Sequence, residues 1–90
     1  SKESVVRTHV GSLVAVAAPT RAASTGLVWR VARPFDARVV RQVGEGDVGR
    51  SVVLVFRAAR RGTTTVVLAL TKGDASPKAV AALRVQIRVA

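Results

Sequence analysis

The chain has no cysteine, no methionine and no tyrosine, and its aromatic residues are Trp29, Phe35 and Phe56. Without cysteine, neither a disulfide nor a thiolate metal site can hold the fold. Hydrophobic burial must suffice over 90 residues. Three aromatics leave little surface on which nucleic-acid bases could stack. One histidine, His9, leaves a hydrolase triad without a credible base: Arg7 lies two residues before it on the same strand face, and no carboxylate is placed to orient the ring. His9 is therefore read as structural. Acids number five. Glu45 and Asp47 do not follow a calcium-loop spacing, and Asp47 is expected to close a turn by bonding its own backbone. Gly44-Glu45-Gly46 is too short for a dinucleotide fingerprint, and no helix pattern follows it. No zinc constellation exists. These absences describe a binding protein rather than an enzyme, with no cofactor and no metal.

Long apolar runs are also missing. Stretches such as Leu13 to Ala18 fall far short of the roughly 20 residues a membrane helix needs, so no membrane span is expected. The chain opens at Ser1 without a methionine, the pattern left when a signal peptide, anchor or tag is removed.

What is present is valine in excess, and β-branched residues favour strands. Period-two alternation recurs along the chain. Leu83, Val85, Ile87 and Val89 alternate with Arg84, Gln86 and Arg88 in a half-buried strand. Val52, Leu54 and Phe56 share one face, and Thr63 to Leu70 reads as a central strand. Leu27, Trp29 and Val31 share another face. Val6, Thr8 and Val10 make a short strand, Leu13 to Ala18 a further one, and Val39 to Val43 the weakest. Lys78 to Leu83 is alanine-rich and could form a helical turn before the last strand. Turn residues punctuate these segments at Gly11-Ser12, Pro19-Thr20, Arg33-Pro34, Gly44 to Gly49, Arg61-Gly62 and Gly73 to Pro77. The expectation is one domain over residues 1–90. It is an all-β, immunoglobulin-like antiparallel β-sandwich of about seven strands, with Trp29, Leu54, Phe56, Val66, Leu68, Val85 and Ile87 buried.

The net charge is +10, from twelve arginines and three lysines against five acids. Such a balance can signal an acidic partner. Clustering decides whether it does, and here the arginines are scattered singly apart from Arg60-Arg61. No specific nucleic-acid partner is expected.

Three glycine-containing loops remain, at 19–26, 44–49 and 71–77, and in an immunoglobulin-like sandwich they gather at one end. A rigid sandwich presenting three loops at one edge is a binding device. From Val10 onward the chain resembles the chagasin-type inhibitors of papain-like cysteine proteases. Ser24-Thr25-Gly26-Leu27-Val28-Trp29 is similar to the second half of their Asn-Pro-Thr-Thr-Gly-aromatic-x-Trp signature. Val43-Gly44-Glu45-Gly46-Asp47 resembles their Gly-x-Gly-Gly loop, and Leu68-Ala69-Leu70 leads into the third loop. Val85-Gln86-Ile87-Arg88-Val89 resembles the closing strand. The departures fall at the tips. Ala22-Ala23 stand where the family has Asn-Pro, Asp47 replaces the last glycine of the second motif, and Lys72-Gly73-Asp74 stand in place of Arg-Pro-aromatic. The resemblance implies a reversible, monomeric inhibitor acting outside the cytoplasm, on exported or vesicular enzymes. Its protease-binding residues would be Ala22, Ala23, Ser24, Thr25 and Gly26 in the first loop, and Gly44, Glu45, Gly46 and Asp47 in the second. Lys72, Gly73 and Asp74 would form the third. The alternative is an immunoglobulin-like adhesion or accessory module that keeps the fold without inhibiting.

Overall fold

In the computed structural model, which describes residues 2–20, 25–73 and 78–90, the alternating segments form seven strands. They are β1 (Lys2–Thr8), β2 (Leu13–Pro19), β3 (Leu27–Val31), β4 (Val40–Val48), β5 (Ser51–Ala58), β6 (Gly62–Lys72) and β7 (Ala79–Val89). They build two sheets, one ordered β1-β7-β6-β3 and the other β2-β5-β4. The expected all-β sandwich is the observed one.

Alternation decides which residues fill the space between the sheets. Val14, Val16 and Ala18 of β2 are buried, as are Leu54, Phe56 and Ala58 of β5, and the residues between them in β2 are exposed. Val66 and Leu68 of β6 and Val85, Ile87 and Val89 of β7 meet them from the other sheet. Phe56 is fully buried and receives Phe35 edge-on, with ring centroids 5.4 Å apart and planes at 88°, a favoured aromatic geometry. Six of the seven residues expected in the core are there. Trp29 is the exception, half-buried and packed against the core from β3, an edge strand.

Four details depart from the sequence reading. β1 pairs with β7 in parallel, Lys2 opposite Leu83 through Thr8 opposite Val89, so the sandwich is not wholly antiparallel. Residues 9–12 turn the chain from β1 into the other sheet, with Gly11 at φ +94°. Residues 44–48 are not a loop but the second half of β4, paired residue by residue with β5. Asp47 accordingly lies opposite Val52 in a strand and closes no turn. The true connection is Gly49-Arg50 between the paired Val48 and Ser51, with Gly49 at φ +57°, the conformation a glycine supplies as first residue of a two-residue hairpin turn. Finally, residues 79–83 are strand, not a helical turn, because Ala81 and Ala82 pair with Leu70 and Ala69 of β6.

Two ladder irregularities mark where alternation slips. The β4–β5 register shifts between Gln42 and Gly44, leaving Val43 unpaired and half exposed. The β6–β7 register shifts at Leu70/Thr71, leaving Val80 outside the ladder. Extra residues of this kind are bulges that re-aim the strand beyond them.

Opposite the β4–β5 hairpin, Gly62 opens β6 at φ +148°, and a Cβ there would stand 2.9 Å from Val39 Cγ2. Val39 is buried and β-branched, so it has little freedom to retreat. Gly62→Ala should therefore lower stability by about 1–3 kcal/mol, combining backbone strain with overpacking. Chemical denaturation would measure it, and an unchanged midpoint would contradict the account.

The β3–β4 connection is fixed by Asp36. Its N–H donates to Thr64 Oγ1 at 2.8 Å, and its carbonyl accepts from the N–H groups of Val39 and Val40. Its carboxylate accepts the Arg38 N–H at 2.9 Å and the Arg38 guanidinium at 3.3 Å. The backbone hydrogen bond first, and then the guanidinium, hold this carboxyl below its ordinary value of 3.8. A depressed carboxyl stabilises the fold at pH values above 3.8, and that contribution is lost as pH falls through the lower folded-state value. A carboxyl NMR titration should find the Asp36 midpoint below 3.8. In Asp36→Asn the corresponding acid-side loss of stability should be absent.

Candidate functional site

The ends of β2, β3, β4 and β6 come together because β2 stops at a proline and β6 stops opposite the start of β3. Pro19 pairs with Ser51, and the next residue, Thr20, donates both its N–H (2.9 Å) and its hydroxyl (3.0 Å) to the Arg50 carbonyl. The first connection is thereby fastened to the β4–β5 turn. Across the other sheet Leu27 pairs with Lys72, and the Gly73 N–H donates to the Gly26 carbonyl at 3.1 Å. The first connection is thus also fastened to the β6–β7 connection. The expected gathering of three segments at one end is present among the described residues.

Each tie has a local cause. Gly26 and Gly73 sit at φ +70° and +72°, where a side chain is disfavoured. Space is not the constraint at Gly26, because a Cβ would make ordinary contact with Lys72 Cγ at 3.8 Å. Thr25 Oγ1 accepts the Leu27 N–H at 3.2 Å, a short-range turn that threonine supplies. Thr71, almost wholly buried, donates its hydroxyl to the Gly73 carbonyl at 2.7 Å and accepts from Arg30 Nε at 3.3 Å. Trp29 spans the two sheets, its indole N–H donated to the Pro19 carbonyl at 2.8 Å.

Between the free edges of β3 and β4 lies a groove of about 360 Å³. Leu27, Val28 and Trp29 line it from β3, and Glu45, Gly46 and Asp47 from β4, with Thr20 and Val52 completing the wall. Apolar side chains thus face two carboxylates. Both acids are exposed. Among the described residues no group of histidine, cysteine or acidic side chains could hold a metal ion. Among the described residues the arrangement has surfaces for contact and no assembled nucleophile and base.

Of the residues expected at the site, Gly26, Lys72 and Gly73 are in mutual contact, and Thr25 adjoins them. Glu45, Gly46 and Asp47 reach the groove from a strand rather than from a loop. Gly44 does not line it, lying against Val55 of β5. Ala22, Ala23, Ser24 and Asp74 lie outside the described residues. Sequence reasoning missed Thr20 and Arg50, and it assigned Trp29 mainly to packing. The signal for Arg50 was available: Gly49-Arg50 follows a strand that could have been read through Val48, as a two-residue hairpin turn requires.

No family model matches the sequence, and no curated protein matches it. Structure does find a likeness. The fold is similar to the crystal structure of the cysteine protease inhibitor EhICP2 from Entamoeba histolytica, with a TM-score of 0.73. The match covers 99% of this chain and 96% of that one, at 14% sequence identity. A likeness spanning nearly both chains leaves no strand unaccounted for, and it agrees with the resemblance read from the residues. Over 99% of its length this chain shares the fold of that cysteine protease inhibitor.

Proposed function

We propose that the protein is a reversible inhibitor of papain-like cysteine proteases and not an enzyme. The end formed by the first connection, the β4 edge and the β6–β7 connection would enter and block the active-site cleft. The observation that carries this reading is the fastening of Gly26 to Gly73 and of Thr20 to Arg50, on a sandwich with the fold of an inhibitor. Ties that fix the ends of these connections lower the ordering cost of binding. Ser24, Thr25 and Gly26 would lie at the cleft centre, with Lys72 and Gly73 to one side and Glu45, Gly46 and Asp47 to the other. The inhibitor would act as a monomer on exported or vesicular enzymes, outside the cytoplasm.

The experiment is titration of purified domain against papain and a panel of cathepsin-type enzymes. Stoichiometric, reversible loss of activity is the expected result. Asp74→Trp should tighten inhibition by returning an aromatic anchor to the third connection and removing a charge. Full activity of every enzyme at micromolar domain, with no rescue by Asp74→Trp, would sink the reading. A non-inhibitory immunoglobulin-like binding module would then be the better account. One observation favours that second reading: Glu45 and Asp47 put two negative charges on the groove wall, Asp47 in place of the family's last glycine.

A further inference from the structure

Strand alternation has a second product, at the end of the sandwich opposite the groove. There the β1–β2 turn, the β5–β6 turn, the segment entering β4 and the last residues of β7 are tied together. The Gly11 N–H donates to the Ala58 carbonyl (2.8 Å), Ala59 N–H to the Val39 carbonyl (2.8 Å) and Ala90 N–H to the Thr8 carbonyl (2.9 Å). Arginines far apart in sequence meet at this end. Arg7 stands opposite Arg88 across β1–β7, and Arg41 opposite Arg57 across β4–β5. Arg60 and Arg61 occupy the turn between β5 and β6, and Arg38 flanks Asp36. These are seven of the twelve arginines, all exposed, with Asp36 the one acid among them.

Like charges directly opposite on neighbouring strands repel and destabilise a sheet. Two such pairs on one end call for a counter-anion from outside the chain. The aliphatic side chains choose the kind. Val10, at the tip of the β1–β2 turn, is 52% exposed, and Leu13, paired with Arg57, is 59% exposed. No exposed aromatic accompanies them for bases to stack on: Phe35 is half-buried against Phe56, and Trp29 is at the other end. Among the described residues no helix or ribbon protrudes to read a groove. Exposed aliphatics ringed by guanidinium groups fit a surface that is anionic outside and apolar beneath. The molecule's two shorter extents are 26 and 19 Å, so arginines of both sheets lie within reach of one surface.

We propose that this end docks on an anionic lipid bilayer. Val10 and Leu13 press into the headgroup boundary, the arginines pair with lipid phosphates, and the groove is directed away from the membrane. Docking is peripheral and needs no spanning segment. It is independent of protease inhibition, which is assayed without lipid, so either reading can fail alone.

The test is co-sedimentation of the purified domain with phosphatidylcholine vesicles, with and without phosphatidylglycerol. Binding should require phosphatidylglycerol and fade with added salt. Taking about a fivefold loss per arginine removed, Arg60→Ser with Arg61→Ser should lower partitioning about 25-fold. Val10→Ser should weaken it further, whereas Arg50→Ser, at the groove end, should leave it unchanged. Trp29 pairs with Leu70, eight residues up β6 from Gly62, about 26 Å from the docking end. Brominated lipid should therefore leave its fluorescence unquenched. Equal binding to neutral vesicles, an Arg50→Ser loss as large as the double variant's, or quenching of Trp29 would overturn the proposal. So would retention by duplex DNA without retention by anionic vesicles.

Discussion

Gly26→Arg should raise the inhibition constant against a susceptible papain-like protease about a hundredfold or more, in the range of a binding hot spot, while the domain stays folded. Two effects combine. At φ +70° a non-glycine residue costs about 1–2 kcal/mol, so the connection relaxes to a different path and the Gly26–Gly73 hydrogen bond is lost. A long cation then projects from the segment proposed to enter the cleft. Neither effect reaches the core, since Gly26 is exposed, so the melting temperature should fall only slightly. Gly26→Ala separates the contributions: it carries the backbone strain without the bulk, because its Cβ would find ordinary contact distances to Lys72. If Gly26→Arg inhibits as well as the parent chain, this connection is not in the cleft.

The second large effect is on stability and distinguishes two aromatic residues. Phe56→Ala should cost about 4 kcal/mol, the usual range for emptying a buried aromatic site. Phe56 is fully enclosed, and its loss also unseats Phe35. That is a large fraction of the roughly 5–13 kcal/mol available to a chain of this size. Trp29→Ala should cost about 3 kcal/mol, at the lower edge of that range, because its ring is only partly buried and collapse can be shared with solvent. The two differ in what else they change. Trp29→Ala removes a wall of the groove and the tie to Pro19, so inhibition should weaken even where all molecules are folded. Phe56→Ala should alter inhibition only through the folded fraction. Urea denaturation together with inhibition assays at low temperature would measure both. A Trp29→Ala loss below roughly 1 kcal/mol would mean that the ring contributes to contact and hardly to packing.

The strands that were legible in the sequence are those where alternation and burial agree. β7 from Leu83 onward, and β5, show their inner residues by period two, and β6 by its run of threonine, valine and leucine with Ala69. The second half of β4 was not legible, because Gly44-Glu45-Gly46-Asp47 has the composition of a turn. Its glycines instead follow a bulge in an edge strand, where lack of a side chain is tolerated. The alanines at 79, 81 and 82 favour helix intrinsically, and pairing with β6 overrides that preference. The site shows the same division. Gly26 was legible because the positive φ of a turn demands glycine. Trp29 at the groove was not, since period two names a face but does not tell a central strand from an edge. The arginines were most misleading. Along the chain all but Arg60-Arg61 are single and scattered, and only the strand pairing brings Arg7 to Arg88 and Arg41 to Arg57.

The parallel pairing of β1 with β7 also determines how the molecule bears load. Both strands run the same way, so a pull between Lys2 and Val89 draws them past each other along their length instead of peeling one off the other. In that geometry the force is shared by the whole seven-pair ladder, and its hydrogen bonds must give way nearly together. Forced unfolding is governed by the unfolding rate rather than by equilibrium stability. Resistance to stretching should therefore be set by this one strand pair, and a proline substituted for Val6 should lower the rupture force far more than its effect on the denaturation midpoint alone would indicate.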